Sequence, residues 1–103
     1  MATLLNKDNF KDFIKKWVSL VDFWAQWCWP CQQMLPIIED FSKDMEWKVN
    51  VWKINVDENS EISWEFNIMS IPNIIIFKDG EMVENLVWVQ SNEDLKEIVE
   101  KYL

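Results

Sequence analysis

The chain has no histidine, no arginine, one glycine and two cysteines among its 103 residues. It also has no apolar run approaching the ~18 residues of a membrane-spanning helix. Without histidine the commonest general base is missing, and a cysteine–histidine nucleophile pair is excluded. Zinc normally takes four ligands, so with no third cysteine a metal would need carboxylates or a second subunit. Phosphate recognition needs a basic face, and a net charge of -8 speaks against nucleic-acid binding. The acidity reads as a solvated, soluble surface. The segment from Met1 to Lys7 lacks a secretory signal pattern. The chain is therefore expected to be cytoplasmic, where two close thiols stay reduced or cycle rather than form a permanent bridge. Its length fits one domain over residues 1–103, burying somewhat over ~60% of the unfolded surface.

What is present centres on Trp27-Cys28-Trp29-Pro30-Cys31. The preceding run, Val18 to Ala25, is almost continuously apolar and reads as a central buried strand. The following run, Gln32 to Lys43, places Leu35, Ile38 and Phe41 about one helical turn apart and reads as a helix. The two cysteines thus fall at a strand-to-helix junction, where free backbone N–H groups and the helix dipole stabilise a thiolate. From the residues alone three readings stay open: a disulfide-exchange dithiol, half of a zinc or iron–sulfur site bridging two chains, or a pair of ordinary buried thiols.

Along the chain there are no repeats, low-complexity stretches or linkers. Asn6 or Asp8 can cap a first helix whose apolar side is Phe10, Phe13 and Ile14. Pro36, inside the helix after the cysteines, removes one backbone donor and is expected to kink it. Val49 to Val56 reads as a strand, with Val49, Val51 and Lys53 on one side and Trp52, Ile54 and Val56 on the other. Asn59 or Ser60 opens a short helix through Phe66. Asn73 to Lys78 is a β-branched strand, Asp79-Gly80 is a hairpin turn signal, and Glu81 to Gln90 is the antiparallel return. Ser91 with Asp94 resembles a capping box for a last helix with Leu95, Ile98, Val99 and Leu103 buried. The order βαβαβαββα predicts an α/β fold: a central mixed sheet with helices on both faces.

The segment Val21-Asp22-Phe23-Trp24-Ala25-Gln26-Trp27-Cys28-Trp29-Pro30-Cys31 closely resembles the active-site strand of the thioredoxin family. Further matches follow in order at Lys53-Ile54-Asn55-Val56-Asp57, Ile71-Pro72 and Ile75-Ile76-Phe77-Lys78-Asp79-Gly80, so the resemblance covers essentially the whole chain. It implies a thioredoxin fold and a protein-disulfide reductase with no bound cofactor. It further implies a monomer recharged from NADPH by thioredoxin reductase, with disulfide-containing proteins as substrates. The departures are as informative. The family has glycine where Trp29 stands, and glycine is common in it at the positions of Trp17, Trp47 and Trp88. Average usage of about 7% would give roughly seven glycines in a chain this long; here there is one, beside eight tryptophans. This recurrence reads as engineering rather than drift.

The resemblance also assigns roles. Cys28, at the helix start, is the candidate nucleophile, and its side chain can point outward; Cys31, a turn further in, is the resolving thiol. Asp22, the only charge in its strand, is the candidate proton acceptor for Cys31, with Lys53 as its partner on the neighbouring strand. Pro30 fixes the loop between the sulfurs. Pro72, after Ile71, matches the family's cis-proline opposite the dithiol. Trp27, Trp29, Ile71 and Trp88 are expected to ring the cysteines as an apolar docking surface, where Trp29 either crowds a protein substrate or offers it an apolar contact and the bulky ring of Trp88 is expected to obstruct it. Trp24 is expected in the core, and Trp17 and Trp47 on the surface at loop-to-strand joints.

Overall fold

The computed structural model describes the backbone of Thr3–Leu4 and residues 9–103. Five strands form one sheet in the order β1-β3-β2-β4-β5. They are β1 (Thr3–Leu4), β2 (Val18–Trp24), β3 (Val49–Asn55), β4 (Asn73–Lys78) and β5 (Glu81–Val87). The first three run parallel, β4 is antiparallel to β2, and β5 is antiparallel to β4. Four helices connect them: α1 (Phe10–Ile14), α2 (Trp29–Asp44), α3 (Ser60–Glu65) and α4 (Asn92–Glu100). The observed order is the βαβαβαββα of the sequence pattern.

Alternation along the strands divides the core into two layers. Val18 and Leu20 of β2, Val49 and Val51 of β3, and Ile74 and Ile76 of β4 pack with Met34, Ile38 and Phe41 of α2 and Leu95 and Val99 of α4. Val21 and Phe23, Ile54, and Ile75 and Phe77 point the other way, against Phe10 and Ile14 of α1 and Ile62 of α3. Because side chains alternate with period two, a one-residue slip of β2 would exchange the two layers wholesale. The register is pinned by burial on both faces.

Several boundaries differ from the sequence pattern for local reasons. Helix α2 begins at Trp29 rather than Gln32, because Cys28 caps it and Pro30, in its first turn, has no N–H to leave unpaired. It continues past Pro36 to Asp44, and its buried stripe is led by Met34, with Leu35 only half-buried. Asn6 and Asp8 lie outside the described residues; the first helix is preceded by Asn9, and Phe13 is exposed against Trp52. Strand β5 stops at Val87, where Trp88 enters a positive φ. The last helix ends at Glu100, leaving Leu103 exposed while Tyr102 packs on the core. The Ser91 hydroxyl accepts the Asp94 N–H at 3.1 Å, one half of the expected capping box. Asp79 and Gly80 both take positive φ (51° and 88°), which gives the tight hairpin its left-handed pair.

Candidate active site

Strand β2 delivers the chain through Ala25 and Trp27 to Cys28, which has extended backbone angles and acts as the N-cap of α2. The Cys31 N–H, one of the donors a helix start leaves unused, donates to Cys28 Sγ at 3.2 Å. Such a donor, together with the helix dipole, favours a charged sulfur over a neutral one. The two cysteines are joined as a disulfide with a Cα–Cα distance of 5.2 Å. In this form Cys28 does not point freely outward: it is 4% exposed against 0% for Cys31. The pair packs with Ala25, and Trp24, Val56 and Ile71 lean against it. Trp24 is half-buried there rather than enclosed in the core.

The opposing wall is the loop before β4. The Ile71–Pro72 peptide bond is cis, as the resemblance implied, and the Ile71 carbonyl oxygen lies 3.8 Å from Cys28 Sγ. The Pro72 carbonyl in turn accepts the Trp88 N–H at 2.9 Å, so the chain leaving β5 is tied to this loop. Trp27, Trp29 and Trp88, expected to ring the cysteines as a rim, are all exposed. One rim contact was not legible in the sequence: Trp27 Nε1 donates to the Asp57 carboxylate at 2.8 Å. Asp57 belongs to the matched Lys53–Asp57 motif, but nothing in that motif says that its carboxylate reaches an indole thirty positions away.

In the strand that leads to the dithiol, Asp22 is fully buried and neither carboxylate oxygen has a hydrogen-bond partner. Alternation puts it between Leu20 and Trp24 on the sheet face that α2 covers, and Trp24 touches the cysteine cluster. Lys53 is its cross-strand neighbour in the β2–β3 register and reaches Glu39 of α2 at 4.0 Å. Burial pushes the Asp22 carboxyl up to about 7, against the opposing pull of the Lys53 ammonium. Desolvation therefore outweighs the charge partner. A carboxyl group poised at that value can both hold and release a proton near neutrality. Among the described residues no helix is long and apolar enough to cross a membrane.

A cysteine pair that closes on itself across the first turn of a helix, against a cis-proline loop, defines a thiol–disulfide exchange site. The thioredoxin family model matches residues 1–101 of the chain. Thioredoxin of Staphylococcus saprophyticus is 47% identical over 95 residues, which cover 92% of this chain and 91% of that protein. Thioredoxin of Staphylococcus aureus is 41% identical with the same coverage. Among solved structures, a mutant thioredoxin from Halobacterium salinarum superposes with a TM-score of 0.89 at 32% identity, over 98% of this chain and 88% of that one. The chain belongs to the thioredoxin family. It is a thiol–disulfide oxidoreductase that acts on protein disulfides and needs no bound cofactor.

Proposed function

We propose that the chain reduces protein disulfides with Cys28 as nucleophile and Cys31 as resolving thiol. The observation that carries the assignment is the Cys31 N–H aimed at Cys28 Sγ from the helix start. The Cys28 thiolate attacks one substrate sulfur; a Cys28–substrate disulfide forms and one substrate thiolate leaves. Cys31 then gives up its proton, with Asp22 as acceptor and Lys53 moderating the acidity of Asp22. The Cys31 thiolate attacks Cys28 Sγ, the second substrate sulfur leaves as a thiolate that takes up a proton, and the Cys28–Cys31 disulfide remains. Two electrons have passed to the substrate. Thioredoxin reductase returns them from NADPH through the same pair, and the cycle runs in the cytoplasm of a monomeric, single-domain protein. Trp27, Pro30, Ile71 and Pro72 form the docking edge.

The test is reduction of insulin disulfides with dithiothreitol as donor. Cys28→Ser is expected to abolish turnover and to form no adduct, whereas Cys31→Ser is expected to accumulate a mixed disulfide with the substrate. Equal trapping by both variants would refute the division of labour.

A second reading has its own observation. Trp29 and Trp88 are both exposed, Trp29 next to Cys28 in the chain and Trp88 tied by its N–H to the Pro72 carbonyl. In that reading the chain is an engineered, redox-compromised scaffold whose rim blocks protein substrates. Trp29→Gly separates the two: a rate raised several-fold supports obstruction, and an unchanged rate supports free access past the indole.

A further inference from the structure

Among the described residues, five besides Gly80 have positive φ: Trp17 (65°), Trp47 (71°), Asn67 (53°), Asp79 (51°) and Trp88 (86°). Asparagine and aspartate are the residues that tolerate this region, and their presence at two of the sites is ordinary chemistry. Tryptophan is not among them. Only a few per cent of non-glycine residues adopt positive φ, so fewer than one of the chain's eight tryptophans is expected there; three are.

In each case the backbone, not the indole, requires the conformation. The Trp17 N–H donates to Asp79 Oδ1 at 3.1 Å and the Trp17 carbonyl accepts the Asp79 N–H at 3.0 Å, locking this residue onto the hairpin turn. Around Trp47, the N–H groups of Lys48 and Val49 both donate to the Met45 carbonyl, at 2.9 and 3.0 Å. Trp88 donates its N–H to Pro72 beside the dithiol. All three indoles stand exposed. By contrast Trp27 is hydrogen-bonded to Asp57, and Trp24 packs on the cysteine pair.

We infer that positions 17, 47 and 88 are glycine in the protein that the source cell makes, each encoded by UGA. That codon is read as a stop, as tryptophan or as glycine in different genetic codes. One reassigned codon accounts both for the scarcity of glycine and for tryptophan in backbone that only glycine adopts freely. Engineering would need a separate choice at each site, against the backbone every time. The consequence reaches function: with glycine at 88 the chain still ties to Pro72 through its backbone, and that side of the dithiol rim is open to a substrate strand.

The experiment reads the codons of the gene and sequences, by mass spectrometry, peptides spanning these positions from protein isolated from its own cells. UGA at 17, 47 and 88 with UGG at 24 and 27 is expected. Each native peptide spanning 17, 47 or 88 is expected to be lighter by the tryptophan–glycine mass difference. UGG at the three positions, or tryptophan in the native peptides, overturns the inference. In the chain as written, the triple variant Trp17→Gly, Trp47→Gly, Trp88→Gly is expected to unfold at higher urea concentration. An unchanged or lowered midpoint overturns the backbone argument on which the inference stands.

Discussion

Trp47 and Trp64 make a matched pair. Both are 89% exposed, so neither indole has burial to lose. They differ in backbone: Trp47 has φ 71°, whereas Trp64 lies in α3. Replacing Trp47 by glycine removes a left-handed penalty of about 1–2 kcal/mol. The glycine costs about 0.4–1 kcal/mol through greater freedom of the unfolded chain. Trp47→Gly is therefore expected to stabilise the fold by roughly 0.5–1 kcal/mol. Trp64→Gly has no such penalty to relieve and should destabilise by roughly 0.5 kcal/mol from helix propensity alone. With a urea dependence of about 1–3 kcal/mol per molar, the midpoints should move apart by about 0.5 M, one up and one down. Far-UV circular dichroism on the oxidised proteins is the assay, since indole fluorescence changes with the substitutions themselves. A Trp47→Gly midpoint at or below the parent's would refute the reasoning.

Stability should fall as pH rises from about 4 to about 7, because the folded state holds the Asp22 proton through that window and the unfolded state does not. The loss is bounded by roughly 4 kcal/mol and is present in full above the window. Asp22→Asn should flatten urea midpoints measured across the same range; an unchanged slope would assign the dependence elsewhere. Ser91→Ala removes the acceptor for the Asp94 N–H and should cost about 1 kcal/mol in thermal or urea unfolding, with disulfide reduction unaffected.

Strands whose two faces both meet the core were the most legible elements. Asn73–Lys78 was bounded correctly because a β-branched run ends in Asp79-Gly80, a turn signal with a defined geometry. The two sides of β3 were also legible, since Val51 and Ile54 follow the pleat into opposite layers. What was not legible depends on contacts between distant segments. Leu35 and Met34 are equally apolar, and only the position of the sheet decides that Met34 faces it. Likewise the Trp27–Asp57 bond joins two loops that a linear pattern does not relate. The positive φ at three tryptophans runs against residue preference altogether: the resemblance set glycine at all three positions, but the residues present do not say that the backbone there is left-handed.

The lack of histidine sharpens the place of Asp22 in the proposed mechanism. Resolving a mixed disulfide requires a proton to leave a fully buried thiol, Cys31. An exposed carboxylate titrates near 4 and is a poor acceptor at neutral pH. The chain has no imidazole to do better. Burying one carboxyl group on the face beneath α2 supplies the missing range, because desolvation moves it to about 7. The same desolvation makes the ionised form costly to the fold, and Lys53 across the strand pair offsets only part of it. An apolar residue at position 22 would relieve that cost and extend the layer of Leu20 and Ile76 without a break. In the proposed mechanism, the stability lost between pH 4 and 7 and the proton accepted from Cys31 are two readings of one titration. A variant that abolishes the first should slow the resolving step.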